Sequence, residues 1–337
     1  MKWRIALILI CLLALNGCVK KPAEESTENR QTSSREKRKY QKKIMKTVQK
    51  DGSYWVREYD SNGLIVKTVF YNADSTVRQT FVSTYDDDQN QVSEVSEKAD
   101  GTKSYQKKEY DGNGNLIREY EGDSEDNLIL RTDNVYEGGL LKQEIYYHQD
   151  GSLWKTYDYI YENGLLVKKT NTLPSGYLYR SWDYAYGPDG KLTKMTDTYH
   201  EHVSISIYDD RGQVLREEHY FKDEPSFTIV NTYGEYGITE TLMTDADGSE
   251  RRHNKTYYEN GLIVRTTDVS EEGLEAETAY WEYDADGHLV HYVNHRGYED
   301  TIVYNEFGDP VWEHDVCNDS LRNAGTYDNQ IYYEYFY

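Results

Sequence analysis

Eleven tyrosines recur along this chain about 25 residues apart, each opening a short acidic turn that bears glycine in every copy but the one at Tyr85. They are Tyr59, Tyr85, Tyr110, Tyr136, Tyr161, Tyr186, Tyr208, Tyr233, Tyr258, Tyr283 and Tyr304, with gaps of 21 to 26 residues. A fixed period of this length means one supersecondary unit packed against copies of itself. That excludes most folds with a single layered core. It also means that the repeat names no reaction.

The turns have two chemistries. In Tyr59-Asp60-Ser61-Asn62-Gly63-Leu64, Tyr110-Asp111-Gly112-Asn113-Gly114-Asn115-Leu116 and Tyr283-Asp284-Ala285-Asp286-Gly287-His288-Leu289, an aspartate is placed to accept backbone N–H groups, and a glycine supplies positive φ. In Tyr161-Glu162-Asn163-Gly164-Leu165 and Tyr258-Glu259-Asn260-Gly261-Leu262, Asn-Gly between aromatic and aliphatic runs is a strong hairpin signal. Tyr136-Glu137-Gly138-Gly139-Leu140 is a variant of it. Midway lie further turns at Asp100-Gly101, Asp150-Gly151, Ser175-Gly176, Asp247-Gly248 and Glu272-Gly273. Two turns per period leave roughly 8–10 residues per strand.

Period-two alternation supports strands. Tyr157, Tyr159 and Tyr161 share one parity, and so do Arg180, Trp182, Tyr184 and Tyr186. No helical periodicity competes. The expectation is an all-β chain of 20 or more antiparallel strands, a continuous β-hairpin array forming a curved or spiral sheet. Hydrophobic residues make up 37% of the chain and 35 residues are tyrosine, so the sheet relies on cross-strand ladders instead of a large aliphatic core. Two-residue loops at Asp150-Gly151 and Asn163-Gly164 would set Tyr147 opposite Trp154 and Tyr159 opposite Lys168.

The N-terminus adds location. Lys2 and Arg4 precede an apolar run from Ile5 to Leu15, too short to span a bilayer and typical of a secretory signal. It ends Leu15-Asn16-Gly17-Cys18, which resembles the lipobox of bacterial lipoproteins. The resemblance implies cleavage before Cys18, a diacylglycerol anchor on its sulfur, and a place in the bacterial cell envelope facing the periplasm or the cell surface. The domain reading is signal peptide at 1–17, lipidated N-terminus and basic disordered stalk at 18–46, and β-repeat domain at 47–337. Cys317 is the one cysteine left beyond the signal and the anchor, so no internal disulfide is expected. Residues 19–50 carry a net charge of +7, while residues 51–337 carry 25 basic against 56 acidic side chains, a net −31. The stalk suits anionic headgroups at about 1 kcal/mol per charge. The acidic head excludes nucleic acid as a partner.

Trp281-Glu282-Tyr283-Asp284-Ala285-Asp286-Gly287-His288-Leu289 and Lys108-Glu109-Tyr110-Asp111-Gly112-Asn113-Gly114-Asn115-Leu116 resemble the YD repeat of RHS-type proteins. The likeness extends over about 59–310. It implies an all-β spiral of hairpins on a surface or secreted protein. Large RHS proteins carry a toxin domain after a self-cleaving aspartate motif; here the chain ends at Tyr337 without room for one, so a toxin-encapsulating role is not expected. Tyr257-Tyr258-Glu259-Asn260-Gly261 also resembles MORN-type hairpin repeats, with the same architecture implied.

Candidate sites are few. The densest aromatic stretch lies between Tyr146 and Tyr186, and Trp154, Tyr157, Tyr159, Tyr179, Trp182 and Tyr184 form its candidate binding patch. Flat rings beside hydrogen-bonding side chains suit a polysaccharide or protein partner, but the same rings serve a stabilising ladder. Pairing Tyr208 with Gln213 would set His202 opposite His219, with His200 alongside as the third member of a metal-binding face. Asp111 to Asn115 alternates oxygen donors as a calcium loop does, but lacks the later glutamate, and a β-turn wants the same residues. No nucleophile–base constellation, phosphate loop or cofactor motif is present. The expected protein is a non-enzymatic envelope lipoprotein without cofactor or metal, acting as a binding scaffold. A ligand-free spacer or adhesin-like element and a metal-dependent protein built on the histidines are the alternatives.

Overall fold

A computed structural model describes residues 42–49, 51–305, 308–317 and 325–336. The signal peptide, Cys18 and most of the basic stalk lie outside the described residues, as does the side chain of Cys317. Within them the chain forms 24 strands, numbered β1 to β24 in chain order, and no helix. β1 spans Lys42–Val48, so the first strand begins within the stretch assigned above to the stalk.

Every strand pairs antiparallel with its sequence neighbours in one sheet. The last strand, β24 (Gly325–Phe336), pairs with β1 from Lys42↔Phe336 to Val48↔Gln330. The hairpin array is therefore a closed ring of strands. Closure matters because a row of unpaired backbone groups at a sheet edge invites aggregation. Here the two terminal strands satisfy each other.

The turns form as their residues dictate. Asp60 Oδ1 accepts the backbone N–H of Asn62 and of Leu64, both at 2.9 Å. Asp111, Asp209 and Asp284 repeat the arrangement. The second copy lacks glycine, and Gln89 takes the left-handed position with φ of 68°. Asn163 and Gly164 have φ of 52° and 81°, the double positive φ of a two-residue primed turn.

A bulge accompanies every repeat tyrosine. At all eleven, the strand register shifts between the tyrosine and the residue before it. A bulge inserts one extra residue, increases twist and leaves a backbone group outside the ladder. The tyrosine hydroxyl of the following repeat takes up such a group. Ile65 faces Tyr59 at the first bulge, and its carbonyl accepts the hydroxyl of Tyr85 at 2.8 Å. Tyr110 donates to Gln91 at 3.0 Å, Tyr136 to Leu116 at 3.3 Å, Tyr186 to Leu166 at 2.7 Å, Tyr233 to Val214 at 2.9 Å and Tyr258 to Ile238 at 3.1 Å. Each acceptor is the residue opposite the preceding repeat tyrosine.

The two expected pairings are corrected, one by the five-residue turn His148–Ser152 and one by the bulge at Tyr161. Tyr147 opposes Leu153, and Tyr159 opposes Lys169. Asn163-Gly164 is a two-residue loop as expected, but an extra residue on the partner strand, Val167, moves the partner of Tyr159 by one.

The sheet has two chemically distinct faces. One carries the repeat tyrosines together with Trp55, Phe70 and Phe81, whose rings meet in sequence at 6.2 and 5.9 Å. The other carries cross-strand ion pairs, such as Arg118–Asp133 at 3.2 Å and Lys168–Asp183 at 2.8 Å, each worth about 0–1 kcal/mol. The apolar side chains buried among the described residues are only Val69, Val269 and Ala279, so the expectation of a sheet without a large aliphatic core holds. Charges occupy mid-strand positions on both faces, among them Glu144 and Lys169 on one and Asp158 and Lys168 on the other. Neither is the continuous apolar band that a membrane-spanning barrel turns to lipid.

The tyrosine hydroxyls give a direct test. Tyr186→Phe and Tyr258→Phe each keep the ring and delete one hydrogen bond. Each is expected to cost about 1 kcal/mol, read as a lower urea midpoint at unchanged slope. Tyr177→Phe, whose exposed hydroxyl faces only His200, stays within about 0.5 kcal/mol. Equal midpoints for all three would remove the hydroxyl as a stabilising rung.

Candidate aromatic face

The candidate patch lies on β9 (Leu140–Tyr147), β10 (Leu153–Glu162), β11 (Leu165–Thr172), β12 (Leu178–Tyr186) and β13 (Leu192–Tyr199). Register sets Tyr157 opposite Glu144, Tyr159 opposite Lys169, Lys169 opposite Trp182, and Tyr184 opposite Met195. Tyr157, Tyr159, Trp182 and Tyr184 therefore share the tyrosine face. Plain alternation would send Trp154 and Tyr179 to the other side. Register shifts fall at both positions, between Leu153 and Lys155 and between Leu178 and Arg180. Trp154 consequently meets Tyr146 edge-on at 6.4 Å, and the Tyr179 hydroxyl lies 2.8 Å from that of Tyr199. The structure thus brings all six expected residues together.

Cations thread between the rings. Lys155 Nζ lies 4.3, 4.8 and 5.1 Å from the ring centroids of Trp154, Tyr146 and Tyr157. Lys169 Nζ lies 4.5, 4.8 and 5.4 Å from those of Tyr157, Tyr159 and Trp182. The Arg180 guanidinium sits 4.8 Å from Trp182 and is held in a fork by Asp197. Such contacts are worth about 0.5–1 kcal/mol when exposed and more when desolvated. Glu144 accepts the hydroxyls of Tyr159 and Tyr146. Sequence reading missed Lys155, Lys169, Glu144 and Asp197. The signal was present for Lys155, which continues the parity of Tyr157 and Tyr159, but the partners depend on register.

Burial sets the electrostatics. It holds the Lys169 ammonium below its ordinary range. It pushes Tyr146 and Tyr184 up to about 12. The Tyr159 hydroxyl is raised further, first by burial and then by its bond to Glu144. Five of the six patch rings are half-buried, and Trp154 keeps 46% of its surface in solvent. The face is therefore a stabilising ladder whose open side begins at Trp154.

The other candidates fare differently. Tyr208 opposes Val214, which places Phe221 opposite His202 and Ser204 opposite His219. His219 stacks on Phe227 at 4.1 Å, and His200 sits in a turn beside Tyr177. The expected His202–His219 pairing is thus corrected by two one-residue offsets, the turn that sets Tyr208 opposite Val214 instead of Gln213 and the extra residue Leu215 on the partner strand. Among the described residues, three ligand-type side chains converge at Asp284, Asp286 and His288. The Asp284 carboxylate there already accepts two backbone N–H groups and faces His288 Nδ1 at 2.9 Å, which is turn chemistry. Asp111 is likewise engaged by Asn113 and Asn115.

No protein-family model matches the chain, and no curated protein matches it either. Among solved structures it is similar to the TcdB2–TccC3 complex without its hypervariable C-terminal region, at 12% identity and TM-score 0.39, covering 81% of this chain and 19% of that one. It is similar to the Photorhabdus luminescens Tc holotoxin pore at 11% identity and TM-score 0.34, with 81% and 19% covered. A porin-like protein from Bacteroides uniformis is similar at 13% identity and TM-score 0.24, with 88% and 96% covered. The chain spans about a fifth of the length of the toxin chains.

The raised tyrosines predict alkaline sensitivity. A tyrosine whose folded value exceeds the ordinary 10.0 contributes stability that is complete below 10 and lost as pH rises through the folded value. Stability is expected to fall between pH 10 and 12, with tyrosinate absorbance appearing together with loss of β circular dichroism. Tyr184→Phe makes the fall shallower. Tyrosinate formation completed near pH 10 with the fold intact would contradict the burial described for these rings.

Proposed function

We propose that this protein is a non-catalytic binding scaffold of the bacterial cell envelope, tethered through a lipid on Cys18, that presents its tyrosine face to a protein or polysaccharide partner. The observation that carries the reading is the convergence of the six rings on one face by way of two bulges. Equivalent shifts recur at Arg78, Arg131, Ser226, Arg251 and Thr278, so what distinguishes this stretch is that its shifted residues are aromatic. Charge supports the same region. Residues 140–199 hold seven basic and seven acidic side chains, so the net −31 of residues 51–337 lies wholly outside them. Elsewhere repulsion between acidic groups opposes close approach, and this stretch is where a surface can dock without it. The basic stalk gives the tether reach and headgroup affinity.

Two measurements test the reading. Cys18→Ser is expected to abolish incorporation of labelled fatty acid and to release the protein from the membrane fraction; unchanged membrane retention without label would remove the anchor. In-cell crosslinking of the full-length protein, with mass spectrometry and glycan analysis of what is captured, is expected to enrich one partner. That partner is expected to be lost on Trp182→Ala at a retained β circular dichroism spectrum. Capture of only lipid and abundant neighbours would leave the face as a ladder and favour the spacer.

A further inference from the structure

The strands end on two rims. One carries the repeat turns; β1 begins there at Lys42, and β24 ends there opposite it at Phe336. The far rim carries the midway turns, among them 148–152, 173–177, 200–201 and 222–223. The chain therefore enters the sheet at the repeat-turn rim, and the far rim lies at the opposite end. Of the large apolar and aromatic side chains exposed beside the far rim, five stand together: Leu153, Trp154, Tyr177, Leu178 and Phe221. They sit on four tips that follow one another along the rim, whereas Val77 and Leu274 stand apart.

Neighbouring side chains tie this arc together. The Tyr177 hydroxyl lies 3.0 Å from His200 Nδ1, which joins the second tip to the third. The His202 ring meets that of Phe221 at 4.8 Å, which joins the third to the fourth. Rings already held by neighbours lose little freedom on binding. Adjacent tips are two strands apart, so four of them extend about 30 Å, the breadth of the roughly 800 Å² that each partner buries in a standard interface. Charge frames the arc. The tip 173–177 holds no charged residue, and Lys222 pairs with Glu201 at 3.6 Å between the third and fourth tips. The tip before the arc, 123–127, holds Asp123, Glu125 and Asp126 and no basic residue. Beyond its other end stand Asp247 and then Glu271 and Glu272.

We propose that this arc is the docking surface for a protein partner that presents an apolar patch bordered by lysine or arginine, which rests on the binding reading above and extends its contact from the tyrosine face onto the far rim. An apolar, aromatic centre with a charged border is the anatomy of a protein interface. The acidic flanks select the sign of the partner. Anionic headgroups and nucleic acid meet them as like charges. So does a second copy of the chain: the eleven far-rim turns between residues 49 and 297 hold twelve acidic side chains against three basic, and two such rims face to face repel. A polysaccharide offers no aliphatic side chain to Leu178 and Phe221. A basic-bordered protein surface meets both the centre and the flanks, and attraction between unlike charges steers its approach.

The test uses the full-length protein in living cells, with the photo-crosslinking residue p-benzoylphenylalanine in place of Tyr177 on the far rim, or of the similarly exposed Tyr236 on the repeat-turn rim. Crosslinked peptides are identified by mass spectrometry. Position 177 is expected to give one protein species whose crosslinked peptide carries lysine or arginine beside apolar residues, and position 236 to give none of it. The yield is expected to fall about 5-fold when Asp123→Asn, Glu125→Gln and Asp126→Asn are combined, and likewise on Phe221→Ser, with circular dichroism unchanged. No product at position 177, a product that is lipid, glycan or a second copy of the chain, an equal yield from position 236, or a yield indifferent to the charge change would overturn the docking surface. If position 177 gives nothing while a partner that depends on Trp182 is still captured, the binding scaffold stands and the far rim alone falls. If the product at position 177 survives Trp182→Ala, the far rim stands and the tyrosine face falls.

Discussion

The structure depends on a hydroxyl that satisfies a backbone carbonyl beside a bulge. A meander of this length has no large core to fix its register, so each hairpin must be keyed to the next by local chemistry. The repeat tyrosine does both halves of the task. Its position at a register shift bends and twists the strand, and its hydroxyl reaches back to the residue that faced the previous tyrosine. The bulge creates a polar group outside the ladder, and the next repeat removes that cost. Stability is then a sum of nearest-neighbour terms, as in other repeat proteins. Phenylalanine supplies the ring and not the rung, which accounts for tyrosine at the six repeat sites where the hydroxyl makes this bond, Tyr85, Tyr110, Tyr136, Tyr186, Tyr233 and Tyr258.

The same economy shapes the two faces. Without burial, charged side chains are affordable on both, and the ion pairs of one face are individually weak. On the tyrosine face between β9 and β13, four cations, Lys142, Lys155, Lys169 and Arg180, sit against rings. Burial depresses Lys169 while the rings stabilise its charge, so this lysine holds a balance between the two. Glu144 and Asp197 complete the pattern by accepting from Tyr159 and Arg180. An acidic domain has thereby gathered a locally neutral, aromatic strip.

Most of the fold was legible because its signals are local. Tyr-Asp-x-x-Gly and Tyr-Glu-Asn-Gly announce their turns, and alternation at Tyr157, Tyr159 and Tyr161 announces a strand. Closure was not legible, because β1 meets β24 through residues at opposite ends of the chain whose pairing carries no motif. Bulges were not legible either. A one-residue insertion looks in sequence like uninterrupted alternation, which sets Tyr159 against Lys168 instead of Lys169; at His202 a wider turn adds a second offset, and Phe221 stands where alternation places His219. The patch was found through composition alone. Its two members of the wrong parity, Trp154 and Tyr179, arrive on the face by the bulges that alternation cannot see.

Closure also bears on what such a protein is for. An open repeat array changes length by gaining or losing units, and it needs capping repeats at its ends. In this ring the two ends cap each other, so one unit more or less alters the pairing of every strand around the closure. A spacer gains nothing from that constraint, since its purpose is reach, which an open array supplies by adding units. A recognition surface does gain, because a fixed number of strands fixes the curvature on which Trp154, Trp182 and the intervening cations are displayed. The closed ring therefore fits the proposed recognition role of the tyrosine face more directly than it fits a spacer.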